Sequence, residues 1–82
     1  MNHDVAENVP LDTTEEQIRE LCSPFGSLRG YSVEQDNKFR KSFKARVEFL
    51  NGKDANECAK NSHGFKLRDH FLMTKIDDEE TS

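Results

Sequence analysis

The residues whose types and spacing point most directly to chemistry are five bases in one short stretch. Lys38, Arg40, Lys41, Lys44 and Arg46 stand among residues 37–47 without a single acid. Lysine and arginine at this density pair with phosphate oxygens, and a guanidinium plane such as that of Arg46 also stacks on a nucleobase. Phe39 lies inside the stretch with no obvious place in a core, so a ring is offered among the charges. The competing reading is a solvated basic loop and sheet edge. The formal net charge of −4 conceals this segment, because residues 1–36 carry −6, residues 37–47 +5, residues 48–76 +1 and residues 77–80 −4. A ligand responds to the local charge rather than to the whole-chain balance.

Other chemistries find little here. His3, His63 and His70 are the available general bases, but they fall near the N-terminus, beside a helix end and in a turn. No serine or cysteine stands in a recognisable nucleophile setting, and no glycine-rich phosphate loop is present. Catalysis, a small-molecule substrate and a cofactor are therefore not expected. Cys22 and Cys58 are the only cysteines. Both sit among apolar neighbours at helical spacing and read as buried, reduced thiols. A disulfide has no support from the sequence. Without a Cys-x-x-Cys pair, and with scattered histidines, no metal-ligand spacing is met.

Eighty-two residues, 33% hydrophobic and 34% charged, suffice for one modest core and one domain. Its expected extent is residues 1–76, with residues 77–82 as an acidic polar tail or linker. The tail is either solvated or able to fold back on the basic loop. The longest apolar runs are far too short to span a bilayer, so no membrane partner is expected. Met1-Asn2-His3-Asp4 lacks the basic and apolar regions of a signal peptide. The simplest location is intracellular, nucleus or cytoplasm.

The elements that must position the bases are legible in part. Thr13-Thr14-Glu15-Glu16-Gln17 offers a capping box, either Thr14 with Gln17 or Thr13 with Glu16. Ile18, Leu21, Cys22 and Phe25 then form an apolar stripe of helical period, ended by Ser23-Pro24 and Gly26. A second helix is predicted from about Lys53 to Ser62, with Asn51 as N-cap, Ala55, Cys58 and Ala59 as its inner stripe, and His63-Gly64 as its stop. Between residues 42 and 50, Phe43, Ala45, Val47 and Phe49 alternate with Lys44, Arg46 and Glu48. That period of two predicts a strand with one apolar and one charged face. Further strands are predicted over residues 28–34, 71–76 and, weakly, 4–8. The order strand, helix, strand, strand, helix, strand is a split βαβ arrangement, an α+β fold with both helices on one sheet face and the other face open.

The chain resembles the RNA-recognition-motif family over nearly its whole length. Asn8-Val9-Pro10 followed by residues 11–18 resembles the family's first-strand exit and first helix. Phe25-Gly26-Ser27-Leu28 resembles its helix-to-strand turn, and Ala55 through Gly64, then Leu72, its second helix and last strand. The resemblance implies the ferredoxin-like βαββαβ sandwich: a four-stranded antiparallel sheet, two helices on one face, and an RNA-binding role. Ser42 to Phe49 overlays the octapeptide RNP1, which reads basic-Gly-aromatic-small-aromatic-aliphatic-x-aromatic. Its two outward aromatic positions fall on Lys44 and Arg46, and the RNP2 aromatic position falls on Val5. The three stacking positions are thus non-aromatic. The implied RNA surface is the basic loop (Lys38, Phe39, Arg40, Lys41) with Lys44, Arg46 and Val5. Phe71 and Met73 join it if Leu72 and Thr74 point inward. The partner implied is single-stranded RNA, held with weak base specificity.

The alternative is a protein-interaction or self-association module on the same fold. Loss of the rings and an acidic first helix (Glu15, Glu16, Glu20) motivate it, with Phe39 or Phe65 as anchors unless these are core. A subclass with Arg-x-Phe before the last strand is disfavoured, since Phe65-Lys66-Leu67 stands there.

Overall fold

A computed structural model describes residues 2–36 and 41–77, the side chain of Asp77 excepted. Its elements are β1 (His3–Pro10), α1 (Glu15–Cys22) with a 3₁₀ turn (Ser23–Phe25), β2 (Leu28–Gln35), β3 (Ser42–Phe49), α2 (Gly52–Ser62), β4 (Lys66–Leu67), β5 (His70–Phe71) and β6 (Met73–Asp77). One antiparallel sheet has the order β2-β3-β1-β6, and β4 and β5 form a separate hairpin. The expected ferredoxin-like sandwich is present, with both helices over one face and β1 and β3 at the centre.

Local rules account for the helices. Thr14 Oγ1 accepts from the Gln17 N–H at 3.2 Å, and Gln17 Oε1 accepts from the Thr14 N–H at 3.0 Å. The capping box therefore uses Thr14, a device worth about 1 kcal/mol. Ile18 and Cys22 are buried, with Leu21 and Phe25 packed beside them. In α2 the buried face is Ala55, Cys58, Ala59 and Ser62. Gly64 follows at φ +83°, a backbone conformation that glycine adopts without strain.

The sheet contributes Ala6, Val9, Ala45, Val47 and Phe49 to the same core, joined by Leu72. The set from β1 is three residues apart, which simple alternation does not allow. The reason is a bulge. Between Ala6↔Ala45 and Val9↔Phe43 the register shifts, so that Glu7 and Asn8 stand opposite Lys44. Asn8 takes φ +65°, in the left-handed region that asparagine tolerates better than most residues. Its N–H donates to buried Asp36 Oδ2 at 3.0 Å, its Nδ2 donates to the Phe71 carbonyl at 3.1 Å, and its Oδ1 accepts from Ser42 Oγ at 2.8 Å. His70 Nδ1 lies 3.1 Å from the Asn8 carbonyl and 3.2 Å from Ser42 Oγ. Because a carbonyl only accepts, this network assigns the ring proton to Nδ1. A second bulge, at Arg29 between Leu28 and Gly30, sets Leu28 and Tyr31 on the inner side in the same way.

One expected element is altered. The last strand, predicted as continuous over residues 71–76, is divided at Leu72. That residue is fully buried, donates to the Phe65 carbonyl at 2.9 Å and accepts from Gly64 N–H at 2.7 Å. The β4–β5 hairpin so formed turns at Arg68, φ +55°. Arg68 pins it to the start of α1 through Thr13 Oγ1 at 3.1 Å, Gln17 Oε1 at 3.2 Å and Asp12 at 3.5 Å. Phe65, open to a core reading from sequence, is instead 42% exposed.

The core holds one costly residue. Asp4 is 3% exposed on the inner face of β1, and its Oδ1 has no hydrogen-bond partner among the described residues. Burial pushes its carboxyl up to about 6, opposed in part by a hydrogen bond from Cys58.

Asn8→Gly keeps the left-handed backbone but loses the side-chain bonds, and is expected to cost about 1 kcal/mol in urea unfolding. Asn8→Ala adds the conformational penalty and is expected to cost about 2–3 kcal/mol. Equal losses would contradict the role given to the bulge. Because the folded protein holds the Asp4 proton more tightly than the unfolded chain, stability from this group is present at low pH and lost as pH rises from 3.8 through about 6. For the metal-free protein, wild type is expected to lose roughly 3 kcal/mol relative to Asp4→Asn between about pH 3.5 and pH 7. Thermal melts across that range check it.

Candidate nucleic-acid interface

Strand parity decides what the open face presents. With Ala45, Val47 and Phe49 turned toward the helices, Ser42, Lys44, Arg46 and Glu48 of β3 face away from them. Their cross-strand partners continue that face: Gly30, Ser32 and Glu34 on β2, His3, Val5 and Glu7 on β1, Met73 and Lys75 on β6. Among the described residues, no phenylalanine or tyrosine side chain stands on this face of the four-stranded sheet. Phe43 and Phe49 point inward. The single tyrosine, Tyr31, pairs with inward-facing Val47 and packs against the core, on the helical side as well; burial, and then the neighbouring Glu15 of α1, holds its hydroxyl above the usual range.

Lys44, Arg46 and Val5 are brought together as expected. Val5 lies between Arg46 on β3 and Lys75 on β6, and it is only 4% exposed. Met73 is 41% exposed beside Glu7, and Leu72 is buried, so the condition set for Met73 is met. Thr74 also points inward, its hydroxyl donating to the Ala59 carbonyl. Phe71 is 58% exposed with the Lys66 ammonium 5.9 Å from its ring centroid, but it belongs to the β4–β5 hairpin rather than to the main sheet. Lys41 is exposed at the start of β3. Lys38, Phe39, Arg40 and the acidic tail at 78–80 lie outside the described residues.

Sequence reasoning missed the other half of the face. Lys75 is a third cation, and acids stand beside both it and Lys44. Lys44 Nζ is 3.7 Å from Glu34, Lys75 Nζ is 3.6 Å from Glu7, and His3 Nε2 is 3.9 Å from Glu48. The face interleaves acids and bases across strands, where β3 alone offered Lys44, Arg46 and Glu48. Alternation in each strand was the available signal. The partners only become apparent once the strand order is known.

The protein-binding candidates divide. Glu15 is paired with Arg19 at 2.7 Å, while Glu16 and Glu20 are exposed. Glu20 shares a shallow groove of about 320 Å³ with Gln17, Leu21, Phe65 and Leu67. Phe65 and Glu20 thus meet on the α1 side, away from the open sheet face. For ligation, the only group of potential metal donors among the described residues is Asp4, Cys22 and Cys58, all buried. No helix among the described residues is long and apolar enough to cross a membrane.

The comparisons with known proteins follow this geometry. The family described as RNA recognition motif matches residues 6–73. A curated relative, the Multiple RNA-binding domain-containing protein 1 of Saccharomyces cerevisiae, is 33% identical over 78 residues, 93% of this chain. The chain spans 9% of that protein's length. Among solved structures, Pes4 RRM3 is similar with a TM-score of 0.85 and 23% identity, over 95% of this chain and 93% of that one. The Rna15 RRM with bound RNA (GU) is similar with a TM-score of 0.76 and 26% identity, over 94% of this chain and 83% of that one.

Proposed function

This chain belongs to the RNA recognition motif family, and on that premise we propose that it is a non-catalytic, intracellular module contacting single-stranded RNA through its open sheet face, with weak base specificity. The observation that carries the reading is the substitution of charge for rings. Lys44, Arg46 and Lys75 surround Val5 on a face that no helix covers. A base gains roughly 1–3 kcal/mol by stacking on an aromatic side chain, and here that gain is forgone at three positions. What remains is attraction for phosphates, with the Arg46 guanidinium as a planar surface for a base.

The interleaved acids shape this attraction. An ion pair as exposed as Lys44–Glu34 is worth only about 0–1 kcal/mol, so a phosphate can take the place of Glu34. Glu7, whose side chain is 6% exposed, holds Lys75 more firmly. Phosphates are therefore best received beside Lys44 and Arg46 and repelled near Glu7 and Glu48, which gives a strand of RNA a preferred path without reading its bases.

A second reading, a protein-interaction surface, is favoured by the exposed Phe65 in its groove with Leu21, Leu67 and Glu20. An apolar side chain flanked by a base would suit it.

Lys44→Glu/Arg46→Glu is expected to lower affinity for short single-stranded RNA at least tenfold, while Phe65→Ala leaves it unchanged. With three to six phosphate contacts, the log–log slope of affinity against salt is expected to be about −2 to −4. Filter binding or fluorescence anisotropy measures both. RNA binding unaffected by the double substitution would remove the sheet face from the account, and loss on Phe65→Ala would favour the helical groove.

A further inference from the structure

The inner face of the sheet carries a constellation with no part in RNA contact. Asp4 on β1, Cys22 at the end of α1 and Cys58 in the middle of α2 each offer one donor atom, and these three atoms lie within 4.8 Å of one another. The three residues are 3%, 4% and 0% exposed. A carboxylate in such a place is paired, coordinated or costly. Asp4 receives a hydrogen bond from Cys58 on one side, and its Oδ1 has no partner among the described residues.

We infer that Asp4, Cys22 and Cys58 form a buried binding site for a borderline divalent cation, Zn²⁺, that ties both helices to the central strand. The donor set fits the ion: two soft thiolates and one carboxylate are the ligand types that Zn²⁺ accepts. Tetrahedral coordination, with bonds of about 2.3 Å to sulfur and about 2.0–2.2 Å to oxygen, places ligand atoms about 3.5–4 Å apart. Donors within 4.8 Å need to close by no more than about an ångström. Ser62, buried and with its Oγ 3.6 Å from Cys58 Sγ, is a neutral oxygen beside one of the donors.

Binding balances as Zn²⁺ plus two thiols and one carboxylate going to a bis-thiolate carboxylate complex of net charge −1 and two released protons. The ion displaces both thiol protons, because a coordinating sulfur is held as the thiolate. Affinity therefore rises about 100-fold per pH unit near neutrality, through two protons per ion. A buried site has no open entry path, so the ion enters as the chain folds. Its contribution appears as folding stability.

The test is to refold the whole chain under reducing conditions with Co²⁺ as a spectroscopic stand-in, and then with Zn²⁺. The expected result is one Co²⁺ per chain, with thiolate-to-cobalt charge transfer and the visible bands of a tetrahedral ion, displaced by Zn²⁺. Cys58→Ser is expected to abolish the charge-transfer band. Asp4→Asn is expected to weaken binding while retaining that band, and each keeps the circular dichroism of the fold. Zn²⁺ is expected to raise the melting temperature of wild type most, that of Asp4→Asn less and that of Cys58→Ser not at all, with two protons released per ion in wild type. Absence of the charge-transfer band in refolded wild type would overturn the site. So would a stoichiometry well below one, or an unchanged band in Cys58→Ser. Recovery of wild type only as a Cys22–Cys58 disulfide, with both thiols lost to titration, would also overturn it.

Discussion

The arrangement rests on one extra residue in the central strand. β1 has neighbours on both sides and contributes to both faces of the sheet, so its register decides what every other strand presents. At Asn8 the strand takes a left-handed step that returns Val9 to the core three residues after Ala6. The polar groups released there are bound by Asp36 at the end of β2, Ser42 at the start of β3, and the Phe71 carbonyl and His70 ring of the hairpin. One residue thereby ties together the segments on either side of residues 37–40 and the last connection. Without the step, Asn8 would occupy the inner position and Val9 the outer one.

The register that fills the core also empties the outer face of rings. Aromatic side chains on β2 and β3 are turned toward α1 and α2, where they fill volume. The outer positions of the same strands are left to lysine, arginine and glutamate. The family supplies a platform on which bases stack. In this chain those positions hold Lys44, Arg46 and Val5, and Lys44 pairs across strands with Glu34. On the proposed function, such a surface exchanges carboxylate partners for phosphates, so its affinity follows ionic strength more than base identity.

Much of the fold was legible because several local rules agreed. The capping box at Thr14, the stripe of Ile18 and Cys22, and the alternation through Phe43 to Phe49 each pointed to one element, and the structure has them. The first strand was weak on paper because the bulge breaks its alternation: Ala6 and Val9 sit at a spacing of three, as do Leu28 and Tyr31 in β2. The β4–β5 hairpin was hidden for another reason. It depends on Arg68 reaching Thr13 and Gln17, more than fifty residues away in sequence, and on Leu72 preferring the core to a continuous strand. The site was legible by halves. Lys44 and Arg46 could be placed by parity, but Glu34, Glu7 and Lys75 oppose or extend them only through strand pairing. Likewise Cys22 and Cys58 fit no ligand spacing along the chain, and Asp4 joins them through space.

The central claim, that the charged open face is where this module meets RNA, is tested most directly by backbone and side-chain chemical-shift titration with short single-stranded RNA pools at low and high salt. The account predicts shifts at Val5, Lys44, Arg46, Met73 and Lys75 that differ little between base compositions and fade as salt rises. Silence at these residues, or shifts confined to Leu21, Phe65 and Leu67 on the helical side, would contradict it.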